Sequence, residues 1–188
     1  MRAHILLLGS AIALAACNVS PTLEEGSAAS PRFAAEIRRT AFGVPHIKAE
    51  DMGGIGYGYG YASAQDNVCE IADRLLTVSG ERAKFLGPGD NDANVTSDLY
   101  HQRIIQSRRV EDLLNGPPSS ANTPTGESLA LAEGYVAGYN RYLRESRDKI
   151  ADPRCKGAAW VREITALDFW RHMYVGQTVD GFFAPTTS

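Results

Sequence analysis

The chain holds four histidines and three cysteines, the residue types from which a nucleophile and its base, a metal site or a redox pair are assembled. The histidines are scattered. His4 lies in an apolar leader, His46 in an extended segment, and His101 and His172 on separate helix-forming stretches. No serine sits in a Gly-x-Ser-x-Gly elbow, so no Ser-His-Asp set is legible by motif. His46, directly after Pro45, reads as a brace for a turn rather than as a general base. Asp66 beside Asn67 is polar within a helix-forming run, where its expected role is structural hydrogen bonding, such as tying down a neighbouring loop. Two of the cysteines, Cys69 and Cys155, have no histidine placed to complete a tetrahedral metal site. No cofactor or metal is expected from this chain.

The cysteines acquire meaning from the leader. Arg2 followed by the apolar run Ile5 to Ala16 is too short for a membrane-spanning helix and has the form of an export signal. It ends Leu14-Ala15-Ala16-Cys17, which has lipobox form with Cys17 as the lipid-bearing residue. Ordinary cleavage after Ala13-Leu14-Ala15 is the alternative. Residues 1–17 are thus read as a signal peptide, 18–32 as a flexible tether and 33–188 as one domain. In an oxidising compartment the remaining pair, Cys69 and Cys155, is expected to form a disulfide, the alternative being two separately buried thiols. A net charge of −3 gives no polyanion-binding surface, so nucleic acid is not an expected partner and a membrane is met only through Cys17.

The elements that must position these residues begin with a hairpin. Phe33 to Phe42 is extended, Gly43-Val44-Pro45 turns and His46 to Lys48 returns. Asp51 caps a helix reaching about Ser79, although Gly53, Gly54, Gly56, Gly58 and Gly60 each cost about 1 kcal/mol there. Gly56, Gly60 and Ala64 recur at i, i+4 and i+8, a smooth seam against which another backbone can lie, with Tyr57, Tyr61 and Val68 beside it. A strand with Tyr57, Tyr59 and Tyr61 on one face is the competing reading. Further helices are expected at Gly80–Leu86, Ser97–Leu114 and from a Thr125 cap to about Asp148, the last with a Leu129, Ala132, Val136, Tyr139 and Leu143 stripe. Thr165 and Asp168 form a capping box that opens a last helix, apolar on nearly every side. The fold class is therefore mostly α with an N-terminal β-hairpin. Its last helix asks for a surface that the chain does not obviously supply.

The motifs GVPHI (43–47), GYGYASAQDN (58–67), GERAKFLG (80–87) and EGYVAGYNRYL (133–143), in this order, resemble the start of the penicillin amidase family of N-terminal-nucleophile hydrolases. The likeness is greatest to its N-acyl-homoserine lactone and cyclic lipopeptide acylase branch. It implies an α-chain of an αββα heterodimer, cut from one precursor, whose nucleophile is the N-terminal serine of a separate β-chain. No catalytic residue is then expected in this chain, which would be inactive alone. Along the shared Val-Gly-x-x-x-x-x-Phe pattern, Thr178, Phe182 and Phe183 would line the acyl site. Gly181 stands where penicillin G acylases carry an arginine, which fits an apolar acyl tail. Their calcium-binding glutamate has no counterpart in Thr186-Thr187-Ser188. The implied activity is amide hydrolysis of acyl-homoserine lactones in the periplasm or outside the cell, with β-lactams and lipopeptides as sister substrates. A non-catalytic exported helical lipoprotein is the reading of another class.

Overall fold

A computed structural model describes residues 32–180. Phe182, Phe183, Cys17 and the whole leader lie outside the described residues. Strands β1 (Glu36–Arg39) and β2 (Pro45–Lys48) form an antiparallel pair with Ile37 opposite Ile47 and Arg38 opposite His46. Gly43, at φ +81°, closes the turn with its amide on the Thr40 carbonyl at 2.9 Å.

Helix α1 (Met52–Val78) starts on Asp51, whose Oδ1 accepts from the Gly54 amide at 2.7 Å, so the strand reading of Tyr57, Tyr59 and Tyr61 is overturned. Its glycines form two rows. A methyl group built on Gly54 or Gly58 collides with Ala34, Ala49 or Ile47, so this row admits the hairpin. One built on Gly56 or Gly60 collides with the backbone carbonyl of Leu131 or Tyr135 on helix α5 (Gly126–Ser146). The fit is reciprocal: Gly134 and Gly138 of α5 lie against the carbonyls of Gly53 and Tyr57. These pairings ascend together along both helices, so α1 and α5 run parallel in backbone contact. The propensity cost of the glycines is offset by that approach, which any Cβ would block.

Arg141 lies across the Tyr57 and Tyr61 rings at 5.9 and 5.7 Å and donates to the Tyr57 hydroxyl at 2.6 Å. Beyond the seam, Ala64, Val68, Cys69, Ala72 and Leu75 meet Tyr139, Leu143, Ile150, Val161 and Ile164 in the core. The expected disulfide is present: Cys69 and Cys155 are joined with Cα atoms 5.6 Å apart, pinning the loop after α5 to α1. Leu129 departs from the expected stripe and is 38% exposed, since it precedes the stretch where α5 meets α1.

Three features differ from the sequence expectation. Asn67 leaves helical geometry (φ −143°, ψ 35°), so α1 bends there rather than running straight. The expected single helix over 97–114 is two, α3 (Ala93–Gln106) and α4 (Arg109–Leu114), divided by Arg108 at φ +54°. Between α1 and these lies α2 (Arg82–Leu86), which starts later than expected because Gly80, at φ +62°, closes α1. The Gly80 and Glu81 amides return to Thr77 and Leu76, a Schellman closure.

Candidate functional site

Helix α6 (Ala166–Val175), continued by a wider turn over Gly176–Asp180, is the element expected to carry substrate contacts. Its start is fixed twice. Thr165 and Asp168 exchange hydrogen bonds as a capping box, the Asp168 carboxylate accepting from the Thr165 amide at 2.8 Å. One residue earlier, Asn140 of α5 clamps the backbone of Ile164, donating to its carbonyl at 2.8 Å and accepting from its amide at 2.9 Å. The Tyr-x-x-Gly-x-Asn stretch over 135–140 thereby gains a physical reading: Gly138 lets α5 touch α1, and Asn140 then places the start of α6. Neither role is visible in apolar periodicity. The i, i+4 spacing of Gly134 and Gly138 is the signal that would have shown the first.

Further along, α6 lies beside α4. A groove of about 400 Å³ runs between them, with Val110, Leu113 and Leu114 on one wall and Trp170, Met173 and Tyr174 on the other. Arg109, Asn122 and Gln177 supply its polar lining. Such a slot suits an apolar chain with a polar end. Thr178 turns its hydroxyl back onto the Tyr174 carbonyl at 2.8 Å, stapling the turn at the groove's end rather than joining the groove lining. Of α6, only Asp168 is buried among the described residues, and Met173 is 38% exposed. Most of the helix is therefore only partly covered by the other described elements.

The three histidines among the described residues lie on three separate elements. His46 stands on the exposed side of β2, His101 is buried on α3 with Nδ1 at 2.8 Å from the Ser97 carbonyl, and His172 is on α6. No group of acidic, histidine or cysteine side chains suited to a metal ion occurs among the described residues. Asp66 binds Arg39 at 2.9 Å, holding the hairpin against α1, as its structural reading anticipated. The GERAKFLG stretch is likewise architectural. Arg82 donates to Asp73, Thr77 and Asn94, while Asp98 accepts from the Arg82 and Ala83 amides at 2.8 and 2.7 Å and so caps α2. Sequence reasoning missed one feature of the pocket helix, an ion pair between Arg171 of α6 and Glu111 of α4 at 2.9 Å. Burial raises the Glu111 pKa, but its own backbone amide and Arg171 outweigh this and hold the carboxyl below its ordinary value.

A sequence model described as penicillin amidase matches residues 34–175. The chain is 36% identical to aculeacin-A acylase of Actinoplanes utahensis, covering 99% of this chain and 24% of that protein. It is 41% identical to the acyl-homoserine lactone acylase PvdQ of Pseudomonas fluorescens, covering 87% of this chain and 19% of that one. The chain thus spans at most about a quarter of the length of these relatives. Among solved structures, a thermostable penicillin G acylase from Alcaligenes faecalis superposes with a TM-score of 0.59 at 25% identity, over 78% of this chain and 75% of that chain. The family match over residues 34–175 and the relatives above 30% identity together show that the chain belongs to the penicillin amidase family.

Proposed function

We propose that this chain is the small, pocket-forming subunit of an exported amidohydrolase that cleaves the amide of N-acyl-homoserine lactones, releasing a fatty acid and homoserine lactone. The observation that carries the reading is a conjunction. An apolar groove with a polar rim lies on α6, in a chain 41% identical over 167 residues to an acyl-homoserine lactone acylase. In this reading the nucleophile is the N-terminal serine of a second, larger subunit from the same precursor. Its α-amino group, with a pKa near 8, is the general base for its own hydroxyl. Attack on the amide carbonyl forms an acyl-enzyme, the departing amine takes a proton, and water then releases the acid. This chain supplies the wall for the acyl tail, with Thr178, Phe182 and Phe183 as the residues that would line it. Support for two subunits comes from lengths. The penicillin G acylase chain is comparable in size to this one, while the acylase relatives are several times longer.

A lipopeptide is the second substrate class, favoured by the match to aculeacin-A acylase over 99% of this chain. Both substrates present the same bond between a fatty acyl group and an amine. Purified protein from the complete coding frame, assayed on lactones of graded chain length, an acylated lipopeptide and penicillin G, decides among them. Acid release from lactones is expected; its absence from every lactone refutes the first reading. Mass spectrometry of the native protein tests the rest of the proposal. It should find two co-purifying chains, with the small one either lipidated at Cys17 or trimmed nearby.

A further inference from the structure

Arg171 and Glu111 form the least exposed ion pair among the described residues, with side chains only 17% and 18% accessible. The pairing is single. Arg171 Nη2 reaches Glu111 Oε1 at 2.9 Å, while Arg171 Nε and Glu111 Oε2 are buried with no hydrogen-bond partner among the described residues. A partly buried pair with two of its five side-chain polar atoms unsatisfied is a poor source of stability, because desolvation of both charges opposes their attraction. An apolar pair of similar size would hold two helices at least as well. What the charged pair supplies instead is a directional tie between α4 and α6, one charge-assisted hydrogen bond of 2.9 Å from Arg171 Nη2 to Glu111 Oε1. Arg171 sits directly after Trp170 and two residues before Met173; Glu111 sits directly after Val110 and two before Leu113. All four neighbours line the groove between the two helices.

We propose that the Arg171–Glu111 pair is a positioning strut that sets the width of the α4–α6 groove and thereby the acyl-chain length the enzyme accepts. This rests on the acylase reading and deepens it. Neither residue touches the reacting atoms; each acts through the wall residues beside it. The kink at Arg108 serves the same end, because it turns α4 out of the line of α3 and brings Glu111 to α6.

The test uses the complete two-chain enzyme and a series of straight-chain acyl-homoserine lactones. Wild-type hydrolysis is measured first, and its absence on every acyl amide refutes the acylase reading itself. In the double variant Glu111→Leu/Arg171→Met, far-UV circular dichroism and thermal stability should be retained. KM for the best wild-type chain length should rise at least about fivefold and the optimum should move by two carbons or more, with kcat changed less than about twofold. Arg171→Lys, which keeps the charge but loses the planar fork, should shift the profile the same way by a smaller factor. It also serves if the double variant does not fold. An unchanged chain-length profile in whichever variant folds, or a uniform fall in kcat at constant KM, overturns the proposal. So does a Glu111→Arg/Arg171→Glu exchange that leaves the enzyme with no more wild-type selectivity than the apolar pair.

Discussion

Replacing Gly60 by alanine sets two known effects against each other. In an isolated helix the change stabilises by about 1 kcal/mol, because glycine is the costlier helix residue. In this protein a Cβ on Gly60 runs into the carbonyl of Tyr135, a backbone group on α5 that cannot rotate away. Relief requires α1 and α5 to part along a seam that also holds Gly56, Gly134 and Gly138, loosening Ala64, Val68 and Tyr139 beyond it. Overpacking of this kind costs about 1–3 kcal/mol, with rigid backbone at the upper end. The net expectation for Gly60→Ala is a loss of about 2 kcal/mol, or about 4–8 °C in Tm for a domain of this size. Gly126→Ala is the matched control. A Cβ there meets nothing within 4 Å, so the variant should be neutral or more stable by up to about 1 kcal/mol. Urea unfolding of both, followed by circular dichroism on the full protein, reads the difference. If Gly60→Ala is as stable as Gly126→Ala, the seam is not a contact and the account of the glycine-rich helix fails.

Other outcomes follow from the same geometry. Cys69→Ala/Cys155→Ala opens a link between residues 86 apart, and unfolding free energy should fall by about 2–4 kcal/mol in urea. Finding both thiols reactive in unfolded, unreduced wild type would contradict the link. Asn140→Ala leaves the amide and carbonyl of Ile164 unpaired and should cost about 2 kcal/mol, with a rise in KM as α6 loses its anchor. Unchanged stability and kinetics would remove Asn140 from the placement of α6. The Tyr139 hydroxyl is buried without a partner among the described residues, so Tyr139→Phe should be neutral or stabilising by up to about 1 kcal/mol. A clear loss would mean that the hydroxyl has a partner. Burial pushes the Tyr135 hydroxyl up to about 12 and Tyr139 up as well, so folding binds these protons more tightly than the open chain does. Stability from both is complete below pH about 10 and declines as pH rises through the folded values. Tyr135→Phe should therefore move the alkaline unfolding midpoint upward, read by tyrosinate absorbance beside circular dichroism; an unmoved midpoint contradicts the assignment.

Local signals in the sequence were enough for the hairpin, the Asp51, Thr125 and Thr165 caps and the Cys69–Cys155 link, because each depends on a few neighbouring residues or on simple cysteine counting. Half of the glycine seam was legible too, since Gly56, Gly60 and Ala64 repeat at helical spacing. The other half was hidden: Gly134 and Gly138 sit in a helix whose apolar stripe drew the eye elsewhere, and only the partner carbonyls of Gly53 and Tyr57 give them a role. The Thr178 hydroxyl closes a turn on the Tyr174 carbonyl, a contact that residue type alone does not announce.

Sequence by itself determined most of which segments become helix and strand, because propensity and capping are local properties. Tertiary structure alone decided that α1 and α5 run parallel, that α3 and α4 separate at Arg108, and that Glu111 meets Arg171 across sixty positions of chain. Those facts are pairings between distant residues. Their free energies depend on distance and burial, quantities that exist only once the helices have packed.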